Sequence, residues 1–431
     1  MGYGNKLKIH IDGHSSTKVY TSSSRVAGNV TVCTSKDVTY NHFQIDLFGT
    51  TETRVDGSVS VMTTTHVFLE LEMPIPEPWH PNPRVLKANR SYNIPFEFVI
   101  PSHLTLDTCN HDADYRAVQE HHLRLPPSMG HWQMDDLSPD MARVEYRVQA
   151  RVFGIRDVDG TLPTIMEASQ RILVLPSFPE QPPLDLLEHD NLYSLFKSKV
   201  TRKIPFSPKT GQLTATAAQP GAILLAADGR TASTIQVRVD IRFDPASSQS
   251  PTPRILHVLS KVVAVTFFSA AGINHLPNQG QWSKMEGLNG RGVYRKTIAL
   301  PDFTVKDDVG WQRNTHAQAR RASQHAHAER EGSTLGSELL TAPCYFTKSL
   351  NVPIELPVAK KAFLPTFHSC ITSRVYVLSL GIVESSGVTT TTIWLDVPLQ
   401  VAVESLPSAI PESELPTFEA AVEDRLQSPH H

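Results

Sequence analysis

The feature that most restricts what this chain can fold into is strict two-residue alternation of apolar and polar side chains. In Val144-Glu-Tyr146-Arg-Val148-Gln-Ala150-Arg-Val152, every even position is apolar and every odd one is polar or charged. Such a run places one face of a strand in a core and the other in water. Ile235-Gln-Val237-Arg-Val239-Asp-Ile241-Arg-Phe243 repeats the pattern. Val67, Leu69, Leu71 and Met73 are expected to face inward, with Glu70 and Glu72 outward. Near the end, Leu395, Val397, Leu399, Val401 and Val403 read as one strand. Pro398 within it cannot donate to a ladder, so an edge or bulged strand is expected. Breaks such as Pro74-Ile-Pro76-Glu-Pro78 and Ala227-Asp228-Gly229 separate the runs. Helix-period segments are scarce: Asp112–His122, and an Ala/Arg/His/Gln-rich stretch over Thr315–Glu331 without large apolar residues. Half-buried strands between turn clusters indicate an all-β chain of the sandwich kind.

The length of 431 residues exceeds what one hydrophobic core usually serves. The order of features also repeats. Ile94–Pro101 leads to Leu125-Pro126-Pro127-Ser128, the strand through Tyr146 and a closing strand from Arg171. Val352–Pro357 leads in the same way to Leu364-Pro365-Thr366-Phe367, the strand through Tyr376 and a closing strand from Leu399. The two tyrosines are separated by nearly the same distance as the two closing strands, which argues for two domains of one kind. The expected division is a first sandwich over residues 1–178, a connection over 179–203 and a second sandwich over 204–405. A polar insertion near 311–340 and a tail over 406–431 complete it.

A net charge of −3 gives no general attraction to nucleic acid, so anion binding would need a local patch. Lys197, Lys199, Arg202 and Lys203 form one such patch and are candidate anion-binding residues; Arg313, Arg320, Arg321 and Arg330 form another. Either suits contact with phosphorylated tails or the anionic headgroups of a membrane surface, as a peripheral contact. Four scattered cysteines without a CxxC pair read as reduced thiols in a cytoplasmic protein. No apolar run approaches the ~20 residues of a membrane-spanning helix. There is no GxSxG elbow, HExxH or phosphate-binding loop, so no catalytic, cofactor-binding or metal-ligating residue is assigned. Cys109, His111, Asp112, His121, His122 and His131 are ligand-type side chains, but their spacing does not match a usual zinc pattern, and they read as a solvated loop. His327-Ala328-Glu329 with Pro343-Cys344 lacks the second cysteine of a deaminase motif, because position 347 is Thr347.

In its first half the chain resembles the fungal arrestin-like proteins, or α-arrestins, through Ile94–Pro101, Leu125–Ser128 and Val144–Val152. In the second half the resemblance lies in Gly211-Gln-Leu-Thr-Ala-Thr, Ile235–Pro245, Thr266-Phe267-Phe268-Ser269, Leu364–Ile382 and Asp396-Val-Pro-Leu-Gln-Val401. It implies two tandem immunoglobulin-like β-sandwiches of the arrestin fold and a non-enzymatic adaptor that binds membrane-protein cargo for endocytosis or sorting. The tail residues Leu415, Pro416, Thr417, Phe418 and Glu419 are similar to a Leu-Pro-x-Tyr-Glu segment of that family, and form a candidate protein-binding site. The family recruits a HECT-type ubiquitin ligase through Pro-Pro-x-Tyr. Here the two Pro-Pro pairs continue as Ser128-Met129 and Leu184-Asp185, so neither carries the tyrosine. A structural subunit of a retromer-type sorting coat, which shares the fold, is the alternative expectation. Arg171 falls where visual-type arrestins carry a phosphate-sensing arginine, with no acidic partner recognisable nearby in sequence.

Overall fold

The computed structural model describes residues 5–404, apart from 57–59, 157–158, 187–189, 205, 280–281, 283–289, 307–309, 316–343 and 387–389. Most of the expected insertion and the tail from 405 therefore lie outside the described residues, and with them Leu415, Pro416, Phe418 and Glu419. Up to residue 174 the chain forms β1 (Lys6–Ile11), β2 (Val19–Tyr20), β3 (Arg25–Cys33), β4 (Val38–Thr39) and β5 (His42–Asp56). There follow β6 (Val61–Glu72), β7 (Val85–Leu86), β8 (Ser91–Val99), the helix α1 (Arg116–His122), β9 (Ala142–Phe153) and β10 (Thr164–Val174). From residue 196 it forms β11 (Phe196–Arg202), β12 (Lys209–Ala217), β13 (Ile223–Leu225), β14 (Ile235–Pro245), β15 (Arg254–Ser269) and β16 (Arg291–Ala299). The remainder are β17 (Phe303–Thr304), β18 (Gln312–Thr315), β19 (Cys344–Ile354), β20 (Phe367–His368), β21 (Thr372–Ser385), β22 (Thr390–Leu399) and β23 (Val401–Val403). The protein is all-β.

Each half uses the same strand plan. In the first, one sheet runs β1-β3-β8 and the other β2-β10-β9-β5-β6. In the second, β12-β14-β19 sit at the centre of a sheet flanked by β11 and β18, and β16-β15-β21 continue into β22. The parallel pair of β10 with β2 has its counterpart in β23 with β13. Inward side chains of both sheets of the first half, such as Val30, Phe96, Leu47 and Tyr146, belong to one core, as do Val239, Val352, Val262 and Leu380 in the second.

The repeat extends to single hydrogen bonds. The buried Tyr146 hydroxyl donates to the Pro126 carbonyl at 2.7 Å, and the buried Tyr376 hydroxyl donates to the Leu364 carbonyl at 2.7 Å. Two residues after each carbonyl stands a hydroxyl residue that clips the closing strand. Ser128 N–H donates to the Val174 carbonyl at 2.8 Å, and Val174 N–H donates to Ser128 Oγ at 2.9 Å. Thr366 N–H donates to the Val401 carbonyl at 2.8 Å, and Val401 N–H donates to Thr366 Oγ1 at 3.1 Å. The structural equivalence is thus Pro127-Ser128 with Pro365-Thr366, one residue away from the sequence pairing of Ser128 with Phe367.

Alternation holds where one face is buried. Val144, Tyr146, Val148, Ala150 and Val152 all point inward on β9, and Val237, Val239, Ile241 and Phe243 do so on β14. It fails on β6, where the register shifts opposite Gly49 and Thr50. Phe68 turns inward, while Val67 is left 48% exposed. A β-carbon at Gly49 would lie 2.3 Å from the Phe68 ring, so glycine is what admits the bulge. The last strand also differs from expectation. It breaks at Gln400, so that β22 pairs antiparallel with β21 while β23 crosses to pair parallel with β13. Pro398 lies in β22, a strand at the edge of its sheet, as its missing N–H requires. The expected connection is shorter than 179–203, because Phe196–Arg202 is strand β11, paired along β12.

Replacing either repeated tyrosine by phenylalanine strands a buried carbonyl, and at Tyr376 also the Leu364 N–H, which donates to the hydroxyl at 3.1 Å. Tyr146→Phe and Tyr376→Phe are each expected to lower stability by about 1–2 kcal/mol. Urea unfolding of both variants checks this, and a loss in both, at least as large at Tyr376, is the outcome that matches the structure.

Candidate functional site

The seam between the two halves gathers the chain's most unusual polar chemistry. The segment between β8 and β9 crosses to the second half: Asp114 N–H donates to the Asn274 carbonyl at 2.8 Å. Thr53 and Thr64 reach over in the same way, their hydroxyls donating to the carbonyls of Ser269 at 2.7 Å and Ala270 at 2.8 Å. From the second half, Arg374 at the start of β21 is fully buried and extends into the first. Its guanidinium donates to Thr266 Oγ1 at 2.8 Å, to the Leu137 carbonyl at 3.0 Å and to Ser138 Oγ at 3.1 Å. Among the described residues, its Nη1 and Asp135 Oδ1 are buried without a hydrogen-bond partner. Lys361 pairs with Asp136 nearby. Beside this joint lies a groove of about 310 Å³, lined by Trp132 and Met134 from one half and Arg230, Lys361 and Phe363 from the other.

The ligand-type loop is solvated only in part: Asp112 is exposed and His111, His121 and His131 are half-buried, but two members are withdrawn from water, which corrects the sequence reading for them. Cys109 and His122 are buried, at 5% and 1% exposure. The 3-10 turn Leu106–Thr108 delivers Cys109, and the last turn of α1 delivers His122. His111 lies against Gly272 of the second half, where a β-carbon would come within 2.6 Å of the ring. The fourth member is Cys370, buried in the tight turn from β20 to β21. Cys109 Sγ lies 3.6 Å from His111 Nε2 and 3.5 Å from His122 Nδ1. One donor atom from each of Cys109, His111, His122 and Cys370 lies within 4.8 Å of all the others. Burial, with the neighbouring His111, His121 and His66, pushes the His122 imidazole down to about 3, so it is held neutral. Burial, with Cys109 beside it, pushes the Cys370 thiol up. His131, by contrast, stands apart from this group and pairs with Glu145 at 3.3 Å. His121 turns the edge of its ring to His368, with ring centres 5.3 Å apart.

Spacing rules missed this cluster because they ask for local pairs. Cys109 and His111 are local, but the fourth donor arrives from the other half of the chain. An unassigned cysteine beside a buried polar turn, Ser369-Cys370, was the available signal.

The basic patch is on the rim of the second half. Lys197 and Lys199 are exposed on β11, at the edge of its sheet. Arg202 ends the strand and donates to the Ser207 carbonyl, and Lys203 opens the turn that follows. Exposed apolar side chains are interspersed with the charges: Phe196 is 61% exposed, Val200 and Ile204 are exposed, and Phe206 is fully exposed. Arg171 does have an acidic partner, contrary to expectation. Glu145 on the neighbouring strand accepts from Arg171 Nη2 at 2.8 Å and also faces Arg147 and His131. A phosphate arriving at Arg171 would have to displace that carboxylate.

No protein-family model matches the chain, and no curated protein matches it. Among the described residues, no helix is long and apolar enough to cross a membrane.

His131 and Arg171 hold the Glu145 carboxyl down at about 2, against an ordinary value of 4.5. A carboxylate with a depressed folded-state pKa stabilises the fold above its unfolded value and loses that contribution as pH falls through the folded one. Glu145→Gln is therefore expected to destabilise the protein at neutral pH. The difference from the parent should shrink as pH falls below about 4.5 and vanish near 2, which denaturation followed across pH would show.

Proposed function

We propose that the protein is a non-enzymatic adaptor that binds membrane-protein cargo for endocytosis or sorting, its two sandwiches being immunoglobulin-like domains of the arrestin type. The repeated strand plan and its matched tyrosine and hydroxyl clips support that reading of the fold. The observation that carries the function is the rim formed by β11 and the turn after it, where Lys197, Lys199, Arg202 and Lys203 are interspersed with exposed Phe196, Val200, Ile204 and Phe206. Basic groups near an anionic leaflet are each worth about 1 kcal/mol, and apolar side chains among them can enter the headgroup layer. The same strand edge offers backbone groups to an extended peptide of the cargo. The protein then works at the cytoplasmic face of the plasma membrane or endosomes as a peripheral component. The tail with Leu415, Pro416, Phe418 and Glu419 is the proposed segment for a further partner, such as a HECT-type ubiquitin ligase.

Binding to phosphatidylserine-containing vesicles tests this. The parent should co-sediment with them and not with neutral vesicles. Lys197→Ala with Lys199→Ala should weaken binding by about 2 kcal/mol, roughly 30-fold. Equal binding to neutral vesicles, or none to either, would remove the support from the edge. Proximity labelling that returned transporters and ligase components would favour the adaptor, whereas a stable stoichiometric complex on size exclusion would favour a sorting-coat subunit.

A further inference from the structure

We infer that Cys109, His111, His122 and Cys370 form a structural zinc site that clamps the two halves together. The distances fit coordination. Zinc bound at about 2.3 Å to sulfur and 2.0–2.1 Å to nitrogen gives a sulfur-to-nitrogen edge of about 3.5 Å across a tetrahedron. Cys109 Sγ lies 3.6 Å and 3.5 Å from the two imidazole nitrogens that face it. His111 is also in the required tautomer. Its Nδ1–H donates to the Asp112 carbonyl at 3.1 Å, which leaves the Nε2 lone pair directed at the cluster. Among the described residues the His122 ring has no hydrogen-bond partner at Nε2, and its Nδ1 faces the Cys109 sulfur. Burying two thiols and the His122 imidazole around one point, with the half-buried His111 beside them, costs desolvation that their weak mutual hydrogen bonds return only in part.

The donor set selects the ion. Two thiolates and two neutral imidazoles in a tetrahedral arrangement favour zinc over calcium or magnesium, which take oxygen ligands. Two thiolates also cancel the charge of the dication, so the complete site is neutral and suits its burial. On binding, the metal displaces one proton from each thiol, and those protons leave to solvent. Four protein ligands close the coordination shell, so the site is structural and has no open position for catalysis. Three ligands belong to the segment between β8 and β9 and the fourth to the β20–β21 turn. The ion therefore ties two parts of the chain that the sheets leave unpaired.

Metal analysis of the reduced full-length chain tests the inference. It should carry about one zinc per chain, and after zinc is removed cobalt should give the visible ligand-field bands of a tetrahedral thiolate site. X-ray absorption should return a shell of sulfur and nitrogen in equal number. Cys109→Ser and Cys370→Ser should each lose most of the zinc. If either variant fails to fold, the cobalt spectrum and absorption shell of the parent still decide. A folded parent that takes up neither metal would overturn the site. So would zinc retained in both serine variants, which marks binding elsewhere, or a Cys109–Cys370 disulfide in protein purified under reducing conditions.

Discussion

Strand β21 is buried on both faces, and the rest of the second half is arranged around that fact. From Thr372 to Glu384 every side chain is withdrawn from water. Tyr376, Leu378, Leu380 and Ile382 fill the sandwich core. On the other face, Val375 and Val377 pack with Val265, Phe267, Ile273, Tyr193 and Trp282. Tyr193 comes from the connection between the halves, so that segment serves as cladding for a sheet as well as a link. Two bridges, Phe178 with Val403 and Ser194 with Asp396, hold it in place. A strand covered on both sides has to find partners for its polar side chains internally: Ser379 donates to Asp396 at 2.5 Å and Glu384 accepts from Ser386 and Thr391 at 2.6 Å, while Nη1 of Arg374 is left without a partner among the described residues.

The beginning of the same strand makes the joint with the first half. Arg374 is surrounded by acceptors from residues 137 and 138, and Cys370 stands just ahead of it among donors from residues 109–122. A buried guanidinium stripped of its acceptors is costly, which makes one relative placement of the halves much better than its neighbours. The basic edge at β11 and the groove beside Trp132 are then held at fixed positions on a single body.

Much of this was legible in the sequence, for a physical reason. On β9 and β14 one face meets the core and the other meets water, and alternation records that difference directly. The matched tyrosines were visible for the same reason. On β6 the bulge at Phe68 changes the phase of the pattern, and nothing in the alternation marks it except the glycine opposite. At Gln400 the chain changes sheets while both strands remain buried, so the apolar run continues without a break. The double burial of β21 is muted by Ser373, Arg374 and Ser379, whose partners lie far along the chain. The cysteine and histidine cluster was hidden by the same separation: its chemistry is plain in the residue types, but the meeting of Cys370 with Cys109 is a property of the fold.

The central claim is that the two halves form one body through the beginning of β21. Hydrogen–deuterium exchange of the full chain, comparing the parent with Arg374→Met, tests it most directly. The account predicts faster exchange in the Arg374 variant on both sides of the seam, in peptides covering 129–138 as well as 372–376, while the middle of β9 keeps its protection. An increase confined to the second half, with residues 129–138 unchanged, would contradict it.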